Sequence, residues 1–173
     1  YTLPAALSIA TARMVFKHFL TSERDKDSRE MRMKAFSQIL PLRIAAYERA
    51  ILYIERIEPA QLIQRLEPAS VSAHVFHQQL LNEINEEYEH NIVQQLYISD
   101  AGWGLLKKAK FDIIAVVNQA SANAELIARQ NPARQSTGVD IAEQMLKIYQ
   151  AKEEYPAELA AKVLKSEIQS FFQ

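Results

Sequence analysis

The chain has 173 residues with 3 glycines, 6 prolines, no cysteine and a formal net charge of −1, a length that suits one domain with an appendage. The missing cysteines exclude a disulfide framework, a thiolate zinc site and a cysteine nucleophile. Three glycines cannot supply both a phosphate-binding loop and the turns of a β-sandwich, and balanced charge provides no global basic field for nucleic acid.

The chain reads as helix between its prolines and glycines. No segment alternates with period 2 between turn residues, so no strand is expected. The first helix starts near Pro4, a favoured first-turn residue, and runs to about residue 38, where Leu40-Pro41 interrupts it. A second helix covers 42–57. Ala46, Ala50, Tyr53 and Ile57 share one face, and Ile44, Tyr47, Ile51 and Ile54 another; two apolar faces mark a central, buried helix. Pro59 and Pro68 bracket a short third helix.

Ser70 or Ser72 then caps a long helix to about residue 98, with the core stripe His77, Leu81, Ile84, Tyr88, Ile92 and Gln95. Ser99 caps the next, from Asp100 to about residue 130, with Asp100 in its favourable first turn. Its stripe is Trp103, Leu106, Ile113, Val117, Ala120, Ala124 and Ile127, interrupted by Lys110, whose stem can pack while its ammonium snorkels. Asn131-Pro132 ends that helix. Residues 137–140 resemble a capping box, with Asp140 in place of Glu, and open a helix through Ile141, Met145, Ile148 and Tyr149. Tyr155-Pro156 breaks and restarts the chain, and the last helix carries Leu159, Val163, Leu164, Ile168 and Phe171. The expected fold is all-α, an antiparallel helical bundle. Residues 1–38 form an anchor or connector helix and 39–173 the bundle domain.

The start of the chain carries a second expectation. Tyr1 stands where a start methionine would, as in a truncated or processed product. Residues 2–12 hold no charge, and eleven helical residues extend about 16 Å, roughly half a bilayer core. Arg13, Lys17, Arg24, Lys26 and Arg29 follow. Basic residues after an apolar stretch predict a transmembrane anchor whose charged end, and with it the main domain, lies in the cytoplasm. A secretory signal would carry its charges first. Arg13 is the difficulty, because an arginine at a helix centre costs about 2.5–3.5 kcal/mol on insertion scales. The alternative is a soluble amphipathic helix packing on the bundle or on a second copy.

Candidate chemistry is sparse. Glu87 and His90 form a Glu-x-x-His pair on one helix face, the motif of carboxylate-bridged di-iron bundles, which use it twice. They are weak metal candidates, and no cofactor is expected. There is no His-Glu-x-x-His zinc signature and no Gly-x-Ser-x-Gly elbow. Ser70, Ser72 and Ser99 stand at helix starts, where capping explains them. Arg49 is expected to pair with Glu83 or Glu87, fixing which helices meet and in what register.

The stretches LRIAAYERAILYIERIEP, LLNEINEEYEHNIVQQLYIS and KKAKFDIIAVVN, the last preceded by a tryptophan, resemble an uncharacterised bacterial family of Bacteroidota type. That resemblance implies one amino-terminal transmembrane helix followed by a helical cytoplasmic domain, and implies no catalytic residues. The leading expectation is a non-enzymatic, membrane-tethered scaffold or accessory subunit. Its partners would be proteins, in a membrane complex or through self-association, and not nucleic acid. The alternatives are a metal- or small-molecule-binding bundle using Glu87 and His90, or a soluble oligomer assembled through the first helix.

Overall fold

The computed structural model describes the backbone of residues 2–130, 134–151 and 156–172, and side chains for 13–130, 134–151 and 157–172. Six α-helices are present among these residues: α1 Thr2–Arg56, α2 Pro59–Leu66, α3 Ala73–Asn91, α4 Asp100–Arg129, α5 Gly138–Gln150 and α6 Pro156–Gln169. The breaks expected at Asn131-Pro132 and at Tyr155 lie outside the described residues.

The break expected at Leu40-Pro41 is absent, because α1 continues through Pro41. An interior proline removes one backbone bond and crowds the carbonyl four residues earlier, a penalty of about 3 kcal/mol. Nothing packed on the helix before Pro41 accounts for this: the side chains from 23 to 39 are exposed, and burial begins only at Ala46.

The chain divides into two compact units, residues 1–42 and 43–173. In the first, every described side chain from 13 to 39 is exposed except the half-buried Ser22. In the second, one apolar core gathers residues from the end of α1 and from α2 to α6, with Tyr47, Tyr53, Phe76, Leu62, Leu106, Ile141, Met145 and Leu164 fully buried. Both apolar faces expected for 42–57 are used: Ala46, Ala50, Tyr53 and Ile57 are buried, as are Tyr47 and Ile54.

Helix α3 corrects the stripe expected for it. Phe76, Leu80, Ile84 and Glu87 are its buried residues, a row that starts one position before His77. Two neighbouring rows at i+4 spacing look alike in sequence, and the bulk of Phe76 and Leu80 decides between them. His77 is half-buried at the edge, with Nε2 2.8 Å from Asn118 Oδ1. The helix also stops early. A 3-10 turn takes over at Ile92–Leu96, leaving Ile92 and Gln95 exposed. Ile127, expected in the α4 stripe, is exposed as well.

The helix starts follow the expected side-chain chemistry. Ser72 accepts from the Val75 N–H, while the Ser70 hydroxyl bonds the Glu67 carbonyl. Ser99 accepts from the Gly102 N–H at 2.9 Å. Thr137 and Asp140 form a reciprocal capping box. Burial works against the Asp140 carboxylate, but the Thr137 N–H and hydroxyl and the Arg134 guanidinium outweigh it and hold its pKa below the ordinary value. Folding therefore favours ionised Asp140. This contribution is complete above the unfolded pKa of about 4 and is lost as pH falls through the lower folded value. Asp140→Asn is expected to lose about 1 kcal/mol at neutral pH. In urea titrations the gap between variant and parent should close as the pH drops below that window.

Gly104 lies inside α4 with open space where a Cβ would go. Gly104→Ala should therefore stabilise the bundle by about 0.5–1 kcal/mol through backbone entropy alone. An unchanged urea midpoint would contradict this.

Candidate functional site

The densest polar cluster of the bundle is built where three helices meet. Arg56 is in the last turn of α1 and Arg65 in the last turn of α2. Helix α3 presents Glu83 and Glu87, one turn apart on one face. Glu87 is buried, only 8% exposed. Its Oε1 takes the Arg56 Nε at 2.7 Å and the Arg65 Nη1 at 3.3 Å. Glu83 holds the same Nη1 at 2.8 Å. The second terminal nitrogen of Arg65 donates to the Arg56 carbonyl at 3.0 Å, satisfying one of the carbonyls that a helix end leaves free. A single guanidinium thus closes the end of α1 and ties α2 to α3.

The expected pairing is corrected in one partner. Glu83 and Glu87 do sit in ion pairs, but with Arg56 and Arg65; Arg49 has none within 4 Å among the described residues. Arg49 and Arg56 are seven residues apart, two turns on the same face, about 10 Å along the axis. The face was readable from spacing, but the level was not. Arg65 offered no periodic signal, because α2 is only 8 residues long.

Beside this clasp lies a cleft of about 590 Å³ between α1 and α3. Arg49, Leu52, Tyr53 and Arg56 line one wall; Glu83, Glu86, Glu87, His90 and Asn91 line the other. Arg49, Glu86 and His90 face it without an ion pair among the described residues. Tyr53 is buried and its hydroxyl lacks a hydrogen-bond partner among the described residues. Burial, followed by the nearby Tyr88 and Glu87, pushes its phenol well above the usual range and keeps it protonated. An aromatic row that spacing did not reveal backs this wall. Tyr53 meets Tyr88 edge-on at 6.1 Å, and Tyr88 packs on Trp103 at 5.7 Å. The Lys110 ammonium lies 4.2 Å from the Tyr88 ring centre, a cation–π contact worth about 0.5–1 kcal/mol. Lys110 therefore has a specific partner in place of open solvent.

Metal binding by Glu87 and His90 finds no support in this arrangement. The Glu87 carboxylate is already engaged by two arginines. No group of three His, Asp or Glu side chains among the described residues is placed to hold an ion. Ser99 is likewise engaged: its hydroxyl donates to Glu167 at 2.8 Å and its oxygen caps α4. Tyr47 donates to the same carboxylate at 2.8 Å. Burial is the first cause raising the Tyr47 phenol pKa, with Glu167 adding to it.

The basic residues of the amino-terminal helix, Arg13, Lys17, Arg24, Lys26 and Arg29, are all exposed. Lys26 reaches Glu23 at 3.8 Å, a loose surface pair. Among the described residues no helix is long and apolar enough to cross a membrane. The charges at 13 and 17, and then the run from 23, interrupt the roughly 20 apolar residues a span requires.

No curated protein and no solved structure matches the chain. A family profile does, over residues 1–171, and the chain belongs to that family, the family of unknown function DUF7935.

Proposed function

We propose that the protein is a non-enzymatic helical scaffold, held at a membrane surface through its first helix and acting through protein–protein contacts. The observation that carries this reading is the bare surface of residues 13–20. Met14, Val15 and Phe16, between Arg13 and Lys17, and Phe19, just after them, are each at least 60% exposed. Exposed aromatic and aliphatic side chains next to basic ones suit the boundary between acyl chains and anionic headgroups. Each Lys or Arg near such a surface contributes about 1 kcal/mol. The charge-free residues 2–12 extend the same helix and would seat in the acyl region. On the bundle, the cleft with Arg49, Glu86 and His90 offers partner proteins a charged docking surface.

Flotation of the full chain with vesicles of phosphatidylethanolamine and phosphatidylglycerol tests the tether. The chain should float with the vesicles, and a variant lacking residues 2–20 should stay at the bottom of the gradient. If the full chain also stays at the bottom, the tether is refuted.

A further inference from the structure

The surface of α1 beyond residue 12 has a pattern that the fold leaves unused. Val15, Phe19, Met33, Phe36 and Leu40 recur on one line of the helix, at alternating spacings of four and three once Ser22, Lys26 and Arg29 are counted between them. These spacings fit the a/d positions of a heptad repeat, the period that winds two helices into a left-handed coil, with five of the eight positions apolar and the exposed Met14, Phe16, Leu20 and Met31 lying off the line. Val15 is 69% exposed, Phe19 60%, Met33 73% and Phe36 49%. A lone helix gains nothing from lining up apolar side chains in water, since helical stability comes mainly from packing such a stripe against something. We propose that the seam from Val15 to Leu40 pairs with the same seam of a second copy, as a parallel two-stranded coiled coil.

The charges identify the occupant. Lys26 and Arg29 fall at the centre of the seam, at a and d. In a parallel coil, an a residue is bordered by the partner's preceding g position, and a d residue by the partner's following e position. Those positions are Asp25 and Glu30. Each copy therefore sets two carboxylates beside the two cations of the other. The present partner of Lys26, Glu23 at 3.8 Å, is a loose pair, with both side chains at least half exposed, and is readily exchanged. In this register Lys26 and Arg29 also meet their own counterparts in the a and d layers and Asp25 meets Glu30 across the flank, so the pairing rests on each cation reaching the partner's carboxylates, whereas a lipid surface would leave Asp25 and Glu30 unmatched. The outer positions include Lys17, Arg24, Asp27, Ser28, Lys34 and Gln38, which suit water.

This pairing goes beyond the membrane reading and does not depend on it. The chain contains no cysteine, so single cysteines report proximity without background. Phe19→Cys and Met33→Cys should each oxidise to a same-residue disulfide dimer in the full chain, in solution or in mild detergent. Arg24→Cys and Ser28→Cys, on the outer face, should give at least five-fold less. Lys26→Glu in the Phe19→Cys background should suppress the dimer several-fold. Adding Asp25→Lys should restore it, because the pair is then reversed and not lost. Equal crosslinking at all four positions would overturn the proposal. So would a disulfide only between Phe19→Cys and Phe36→Cys chains, or failure of the double charge reversal to restore what the single change removed. Val15 and Phe19 serve both the seam and the lipid boundary, so the coil is read by crosslinking without vesicles, at Met33→Cys as well as Phe19→Cys, and the tether by flotation of the unsubstituted chain; failure of one is then distinguishable from failure of the other.

Discussion

Gly138→Ala is expected to destabilise the bundle by about 2 kcal/mol, within the range for overpacking a filled core. A Cβ at 138 would lie 2.5 Å from the Pro68 carbonyl oxygen and 3.1 Å from the Phe76 Cβ. Neither neighbour can yield cheaply. The oxygen belongs to a backbone segment stitched to this one: the Gly138 N–H donates to the Val71 carbonyl at 3.2 Å, and the Ala73 N–H to the Ser136 carbonyl at 3.4 Å. Phe76 is fully buried. Relief therefore means parting the two segments that start α3 and α5, with loss of those bonds and of the isolated bridge between Ser72 and Thr137. The gain in helix propensity from alanine is smaller and does not reverse the sign. Urea unfolding should show a lowered midpoint with an unchanged slope. Gly104→Ala in the same assay should move the midpoint the other way, which separates contact from propensity. A Gly138→Ala protein as stable as the parent would show that the two segments are not packed as described.

The contrast among the three glycines shows what the sequence could and could not disclose. Their scarcity marked long helices, and the helices are long. Their individual roles were not readable, because close approach depends on which segment lies opposite. At Gly102 a Cβ would meet the flexible tip of Leu164 at 2.9 Å; at Gly104 it would meet nothing. The local signals were the legible ones. Ser99 and the Thr137–Asp140 box are decided by backbone groups within three residues, and they appear as read. Pro41 marks the limit of a local rule: the rule against interior prolines places a break at Leu40-Pro41, and α1 runs through it. The charged site was half legible. Glu83 and Glu87 stood out on a helix face, but Arg65 lies on a helix too short to show a period, and its guanidinium reaches both carboxylates only after α2 has folded back. The proposed seam carries Ser22, Lys26 and Arg29 at its centre, so no continuous apolar run marks it in the sequence.

Glu87→Gln is expected to lose about 2–3 kcal/mol. Breaking a buried ion pair by removing one partner costs about 3–5 kcal/mol, and the lower figure follows because both arginines reach water, with side chains 55% and 28% exposed. The amide keeps one acceptor oxygen but turns an N–H₂ towards two guanidinium groups. Glu83→Gln should lose less, about 0.5 kcal/mol, because its pair with Arg65 is a quarter exposed and resembles a surface bridge. Double-mutant cycles assign the loss. Coupling between Arg56 and Glu87 should exceed about 1 kcal/mol, as residues in direct contact show, and coupling between Arg49 and Glu87 should be near zero. Arg49→Ala alone should change stability by less than about 0.5 kcal/mol, because it lines the cleft without closing the clasp. A clasp that uses Arg56 and Arg65 to hold three helices leaves Arg49, Glu86 and His90 on the cleft wall without an ion pair among the described residues, so under the proposed docking role Arg49→Ala should weaken partner capture while the urea midpoint stays unchanged. If instead the Arg49–Glu87 charge swap rescued stability, the arginine holding Glu87 would be Arg49, and the cleft would have no free cation on its α1 wall.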